Sequence, residues 1–386
     1  METIQSIKEE CTGCSACYSI CPKNAIEMKK KLEGFYYPII NNSNCISCGL
    51  CLKVCPVNKH VEINSNNQVY SSYIKDKSKR LESASGGIFR ILAEYIIDQK
   101  GFVFGAAFDE NFKVKHICVD NKNDLKKLLG SKYVQSQMND SFKHVRELLE
   151  KGNKVLFVGT GCQIAGLKNY LIKEYDSLLT IDLICHGVPS PSVWEKYIKE
   201  KGKGNIIDII PRDKTNGIND APIVFKYSNG LKQSEAYSKN IYLRGFIANY
   251  YLRNSCYKCN FKGLSRISDI TIGDFWGLDK LDKAMYQPYG TSVVITHNNK
   301  IDEYIDEINK EMVFKSYPND FAYKYNDCLI NSTNKPFVRR IYFLFNHFFT
   351  TEFYIKLLFR ISDYFSVFRL NLIKIIRKFK LIIKKR

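Results

Sequence analysis

Cys11-Thr12-Gly13-Cys14-Ser15-Ala16-Cys17-Tyr18-Ser19-Ile20-Cys21-Pro22 and Cys45-Ile46-Ser47-Cys48-Gly49-Leu50-Cys51-Leu52-Lys53-Val54-Cys55-Pro56 are one pattern written twice. Each half reads C-x2-C-x2-C-x3-C-P, the spacing that holds [4Fe–4S] clusters in pairs. The closely spaced cysteines put three thiolates around one cluster. The fourth, just before proline, reaches across to the other. The expected ligand sets are therefore Cys11, Cys14, Cys17 and Cys55 for one cluster and Cys21, Cys45, Cys48 and Cys51 for its mate. A zinc ribbon also uses C-x2-C pairs, but it leaves the third and fourth cysteine of each run without a task. A unit of about 55 residues with few large apolar side chains also relies on its clusters for stability.

Around this stretch, 386 residues leave room for two or three domains and a sizeable core. A hydrophobic content of 45% excludes wholesale disorder. Six of the fourteen cysteines lie outside the repeat. Met1 to Gln5 has neither the basic start nor the apolar core of a signal peptide, so reduced thiolates in a cytoplasmic protein are expected and disulfides are not. No segment has the run of roughly 18 apolar residues that marks a transmembrane helix. The net charge of +19 is uneven, because residues 335–386 carry 13 Lys and Arg against 2 Asp and Glu, a net of +11.

The fold class expected is α/β. An α+β ferredoxin-like unit over 1–60 precedes a polar linker over 61–80, where Asn64-Ser65-Asn66-Asn67-Gln68 sets the composition. An α/β domain with a mixed sheet follows over 81–330, and a helical tail over 335–386. Strands are expected at 69–74, 102–108, 113–119, 155–158, 178–184, 267–277 and 293–296. Helices are expected from Ile88 to Gly101 and at 123–129, 139–151, 162–174, 240–252 and 301–312.

Several stretches of this second domain point to chemistry. Ser85-Gly86-Gly87 opens a helix with free backbone N–H groups, which either receive an anion or are simply capped. Gly130 to Ser136 mixes a cation, a phenol and hydroxyls, as a polar pocket or an ordinary loop does. Gly159-Thr160-Gly161-Cys162-Gln163-Ile164 fails as a dinucleotide fingerprint, which needs glycine where Ile164 stands. It instead presents Cys162 at a helix N-terminus, where the dipole favours thiolate. The next strand ends in Cys185-His186-Gly187. If the two strands are parallel neighbours, both thiols face the crevice at their carboxyl ends; otherwise they are two buried cysteines. The pair Cys256 and Cys259 brings the total to four, a ligand set for a third [4Fe–4S] cluster or for zinc. Cys118 and Cys328 are read as structural. His186 is a proton donor, a hydrogen-bond partner of the ligands or a packed loop residue. Asp274 and Trp276 either contact a flavin ring or close a corner of the core.

The tail has ten phenylalanines from Phe337 to Phe379, interleaved with Lys and Arg. Over 365–383 the apolar residues recur on one helical face, with Lys374, Arg377, Lys378 and Lys385 roughly opposite. That pattern suits an anionic membrane surface, or else a partner protein. Its apolar face is too continuous for nucleic acid, which is not expected as a partner. The protein is thus expected in the cytoplasm, either free or peripheral on the inner face of the cell membrane.

Ser85-Gly86-Gly87-Ile88-Phe89, Gly130 to Ser136, Gly159 to Leu167, Cys185 to Pro191, the Cys256/Cys259 pair and Asp269 to Gly277 occur in one order. Together they resemble the beta-subunit family of coenzyme F420 hydrogenases and dehydrogenases, over roughly 70–310. The resemblance implies an FAD-binding α/β domain with a [4Fe–4S] cluster held by Cys162, Cys185, Cys256 and Cys259. It also implies that Ser85, Gly86, Gly87, Lys132 and Thr160 lie near the flavin. Gly161 departs from the proline expected there, which loosens the loop but keeps the thiol. The function implied is an iron–sulfur flavoprotein oxidoreductase, an enzyme that takes electrons from a ferredoxin-like donor and reduces an organic substrate. Members of the family serve several substrates, polysaccharide biosynthesis among their settings. Two alternatives are a subunit dependent on the deazaflavin coenzyme F420 and a non-enzymatic, membrane-associated electron carrier.

Overall fold

The computed structural model describes residues 3–58 and 67–364. In the first unit, strands β1 (Ile26–Lys30) and β2 (Tyr36–Ile40) form an antiparallel hairpin. Two short helices, Ala16–Ile20 and Leu50–Lys53, repeat the sequence symmetry, since each follows a residue in left-handed backbone, Ser15 (φ 66°) and Gly49 (φ 74°). Such a turn brings three closely spaced cysteines around one point before the helix carries the chain away.

Eight strands form the main sheet: β3 (Gln68–Ile74), β4 (Phe102–Phe108), β5 (Val114–Val119), β6 (Val155–Thr160), β7 (Leu178–Leu183), β11 (Ile270–Asp274), β12 (Ser292–Thr296) and β13 (Met312–Tyr317). Their order is β13-β3-β12-β11-β7-β6-β4-β5. The four inner strands β4, β6, β7 and β11 are parallel, and the remaining pairings are antiparallel. A smaller antiparallel sheet holds β8 (Ile206–Ile210), β9 (Ile223–Tyr227) and β10 (Lys232–Glu235). The expected α/β class with a mixed sheet is therefore what forms.

Helices Ile88–Asp98 and Ile305–Glu311 cover one face of the main sheet, through Ile91, Leu92, Ile96 and Ile308. Helices Ser141–Glu150 and Gly161–Leu171 join a second core cluster with Phe104 and Phe157, and Cys14, Ala16 and Val54 of the first unit belong to the same cluster. The iron–sulfur-type unit is thus packed into the second domain and shares its core. The two approach closely at Gly166, where an added Cβ would stand 2.8 Å from Cys14 Sγ and 2.9 Å from its Cβ.

Two expected boundaries are corrected. Within the proposed linker 61–80 the strand expected at 69–74 forms as β3, hydrogen-bonded on both edges, and a helix at Lys77–Glu82 follows, so 67–80 belongs to the second domain and not to a linker. The Gln-Val-Tyr-Ser-Ser-Tyr-Ile composition of β3 looks polar, yet Ser71 and Ser72 are fully buried in the sheet. The tail is not free over its first part. Helix Val338–Phe345 and a helix over 351–364 place Val338, Tyr342, Tyr354, Ile355 and Leu358 in an aromatic core with Trp194, Tyr242 and Tyr251. Residues 365–383, which carry the basic amphipathic pattern, lie outside the described residues. Among the described residues no helix is long and apolar enough to cross a membrane.

Candidate metal centres and an adjoining cleft

All fourteen cysteines are free thiols. The second expected set closes around one space, for Cys21, Cys45, Cys48 and Cys51 line a cavity of about 40 Å³ with Ile26, Ile40 and Pro22. Cys48 is exposed there and Ile46 stands out into solvent, so this set is the outer one. The first set is buried deeper. Burial pushes the Cys14 thiol up to about 12, and Cys55 and Cys11 add to the shift. Cys17 is raised by burial and then by Cys14, Cys11 and Cys55, which puts all four thiols within electrostatic reach of one another.

The parallel register pairs Thr160 with Leu183, so the loops leaving β6 and β7 lie side by side, as the strand–helix–strand reading requires. Cys162 and Cys185 meet Cys256 and Cys259 there, the latter pair carried by and just after a 3-10 helix at Asn254–Lys258. Burial raises the Cys162 thiol well above its ordinary value, with Cys259, Cys185 and Cys256 contributing. Cys185 reaches about 12 and Cys256 about 11, also through burial first. The helix dipole expected to make Cys162 a thiolate is therefore outweighed by desolvation. Ligation at such a site has to displace the thiol protons. Thr160 Oγ1 lies 3.2 Å from Cys162 Sγ, and the Val188 N–H donates to Cys256 Sγ at 3.4 Å. Among the described residues, no three His, Cys, Asp or Glu side chains are placed to hold a single metal ion.

His186 sits beside this set, bonded through Nε2 to Asn249 Oδ1 at 2.7 Å and through Nδ1 to Cys328 Sγ at 3.3 Å. Cys328, expected to stand apart, is therefore a neighbour of the site, because the segment around it folds back. Lys262 fixes it there by donating to the Cys328 carbonyl at 3.0 Å. Cys118 lies half-buried on β5, with its thiol raised to about 12 by burial.

Further along the same sheet edge, a cleft of about 350 Å³ opens between Asp274, Trp276, Lys280, Tyr286, Thr291 and Tyr325. Arg212 pairs with Asp274 Oδ2 at 2.7 Å and lies over the Trp276 ring at 5.7 Å. The other oxygen, Asp274 Oδ1, is buried with no protein partner, and an unpaired buried acceptor of this kind is costly to the fold. Ser85 Oγ donates to the Thr291 carbonyl at 3.2 Å, and the Gly86 N–H donates to Ser292 Oγ at 3.0 Å, which fixes this loop at the cleft wall. Gly87 caps the following helix in left-handed backbone (φ 100°).

The other two expected flavin neighbours are engaged within the protein. Lys132 Nζ donates to the Lys127 and Leu129 carbonyls at 2.8 and 2.7 Å, and burial lowers its pKa to about 7. The Thr160 N–H donates to Gln163 Oε1 at 2.9 Å, and its Oγ1 lies against Cys162 Sγ, so Thr160 belongs to the thiol set. Sequence reading missed Arg212 and Lys214. The latter is buried and bound to the carbonyls of Arg80, Ser85 and Tyr289 at 2.7–2.8 Å. Neither cation stands in a motif, and no local signal marks it.

Comparison with known proteins places these parts. Residues 152–320 match the family model that describes the C terminus of the coenzyme F420 hydrogenase/dehydrogenase beta subunit, and residues 10–59 match that of a 4Fe-4S dicluster domain. The chain is 24% identical over 327 residues to the F subunit of F(420)H(2) dehydrogenase from Methanosarcina mazei, covering 80% of this chain and 85% of that one. It is also similar to a chain of the F420-reducing NiFe hydrogenase complex from Methanosarcina barkeri, at 17% identity and a TM-score of 0.44, over 68% of this chain and 85% of that one.

Proposed function

From a chain whose residues 152–320 match the C terminus of the coenzyme F420 hydrogenase/dehydrogenase beta subunit and whose residues 10–59 match a 4Fe-4S dicluster domain, we infer an oxidoreductase of that family with three [4Fe–4S] clusters and a flavin. The observation that carries this reading is the meeting of Cys162, Cys185, Cys256 and Cys259 beside the buried first set. The outer set, at the surface, is where a ferredoxin-like one-electron donor docks. When bound, such clusters carry single electrons, and a flavin exchanges them for two-electron chemistry on an organic substrate.

The chain's own residues supply the rest. The orphaned Asp274 Oδ1 offers an acceptor to a ring N–H, and Trp276 offers an apolar face to a planar ring. Arg212, paired with Asp274, and Lys214, held by the Ser85 and Tyr289 carbonyls, brace the loops behind the cleft, and Lys280 is the lining cation that suits FAD phosphates. Thiol-held clusters of this kind persist in a reducing compartment, the cytoplasm.

Coenzyme F420 is a second reading for the terminal partner, favoured by the dehydrogenase relative, whose name carries that coenzyme. Anaerobically purified protein is expected to contain about twelve irons, four per cluster, and one FAD. About eight irons without flavin would sink the reading in favour of a plain electron carrier. Reduction of coenzyme F420 by the holoprotein would select the second reading over another organic acceptor, such as one used in polysaccharide synthesis.

The tail is proposed to dock on an anionic membrane. Phe345, Phe348, Phe349 and Phe353 are exposed where the two described tail helices meet. Residues 365–386 add eight Lys and Arg and no acidic residue. Each cation near an anionic surface contributes about 1 kcal/mol before screening. Deleting 365–386 while keeping the core-forming helices is expected to cut co-sedimentation with anionic vesicles by tenfold or more. Equal sedimentation of both proteins would end the membrane reading.

A further inference from the structure

Among the described residues, Arg253 is the largest side chain that is fully buried, at 0% exposure. It caps the 3-10 helix that carries Cys256, and its backbone carbonyl accepts from the Cys256 N–H at 3.0 Å. Its guanidinium points the other way, into the first unit. Nε donates to the Cys11 carbonyl at 2.6 Å, one terminal nitrogen to Gln135 Oε1 at 3.1 Å and the other to the Tyr36 carbonyl at 2.9 Å. The rings of Tyr37 and Phe35 lie 4.3 and 5.4 Å from it. Every one of these partners is uncharged. Glu33, on the same hairpin, is taken by Arg339 at 2.6 Å. A guanidinium stays protonated in proteins, and one buried without an anion is strongly destabilising. Hydrogen bonds to carbonyls and ring faces offset only part of that cost.

The missing negative charge has one natural source on each side. Four thiolates on a [4Fe–4S] core leave it net negative, and the two thiol sets flanking Arg253 would each place such a charge beside it. Arg253 lowers the Cys256 thiol, as a nearby cation does. Gln135 supports the arrangement from behind, donating to the Thr12 carbonyl at 3.0 Å. There is little slack at this junction. A Cβ at Gly13 would stand 2.9 Å from the guanidinium.

We propose that Arg253 is the shared counter-charge of two clusters, held by Cys11, Cys14, Cys17 and Cys55 and by Cys162, Cys185, Cys256 and Cys259. It thereby makes them successive stations for an electron. This rests on the three-cluster reading above. In the step itself one electron leaves the first cluster, which is oxidised by one unit, and enters the second, which is reduced by one. No bond forms or breaks, and no proton moves. A low-potential one-electron donor supplies the electron at the outer set. Arg253 is a positioning residue, and its charge favours the reduced, more negative form of both neighbours.

The test is a mediated redox titration of the holoprotein, followed by electron paramagnetic resonance. Arg253→Gln is expected to make reduction at least tenfold harder at two of the three clusters, about 59 mV per electron. The outer cluster should not move, and Arg253→Lys should restore the two potentials by restoring the charge. Three unchanged potentials, or three equal shifts, would overturn the proposal. If the variants load no iron, wild-type protein with 15N-labelled arginine decides the matter. Hyperfine coupling to guanidinium nitrogen at two reduced clusters supports the proposal, and coupling at none overturns it. Wild-type protein with only two cluster signals would instead defeat the three-cluster reading itself.

Discussion

Cys256→Ser is expected to remove about four of roughly twelve irons and to stop electron delivery from the outer clusters to an organic acceptor. Serine keeps the size and the hydrogen bond from the Val188 N–H but is a poor ligand for iron. The eight N-terminal cysteines are untouched, so two cluster signals should persist in the variant. Cys162, Cys185 and Cys259 are each expected to behave in the same way. The loss of turnover should be at least 100-fold, because the substitution interrupts the proposed path and not merely its tuning. Iron analysis, spin quantitation and stopped-flow reduction of the acceptor check the three parts separately. A Cys256→Ser protein with full iron content would contradict the assignment.

The second large effect concerns stability. Asp182 and Arg266 are both buried, joined at 2.6 Å between Oδ2 and the guanidinium. Ser268 donates to Asp182 Oδ1 at 2.8 Å, Thr271 binds the same oxygen, and Arg266 also reaches the Gly263 and Leu329 carbonyls. Removing one partner of such a pair strands the other charge, at a cost of about 3–5 kcal/mol. Arg266→Met is therefore expected to lower the urea midpoint of the holoprotein sharply. Adding Asp182→Asn should recover a large part of the loss, since it removes the stranded charge. Circular dichroism through a urea series reads both, and a double variant no more stable than Arg266→Met would refute the account. Asp182 also lies beside Gly161, where an added Cβ would stand 3.1 Å from its carboxylate. The single variant should accordingly loosen the Cys162 loop as well.

The sequence made the thiol sets legible because their spacing is the chemistry. Three closely spaced cysteines with a fourth before proline leave little freedom for a cluster pair. The meeting of Cys162 and Cys185 followed from a strand–helix–strand run, whose right-handed crossover sets neighbouring carboxyl ends together. What stayed hidden depends on distant partners. β3 is legible as a strand at 69–74, but its place between β12 and β13 is set by partners more than 200 residues later. Arg253 binds the Cys11 carbonyl across 242 residues, and nothing around position 253 signals it. The small sheet of β8, β9 and β10 has short, mixed strands without clean alternation. The tail's amphipathic pattern spans 365–383, outside the described residues. It did not tell that the face of 338–358 covers Tyr242 and Tyr251. The anion reading of the Ser85 loop fares differently, because that loop is tied by Thr291 and Ser292 to the cleft wall.

The placement of β3 also constrains how the protein is made. Its two sheet neighbours, β12 and β13, begin at Ser292 and Met312. At about 5–20 residues per second, a ribosome emits them roughly 10–50 s after Ile74 has been added. Through that interval β3 waits without either of its final partners, and its Ser71 and Ser72, both fully buried once the sheet is complete, make it a less apolar waiting edge than its neighbours.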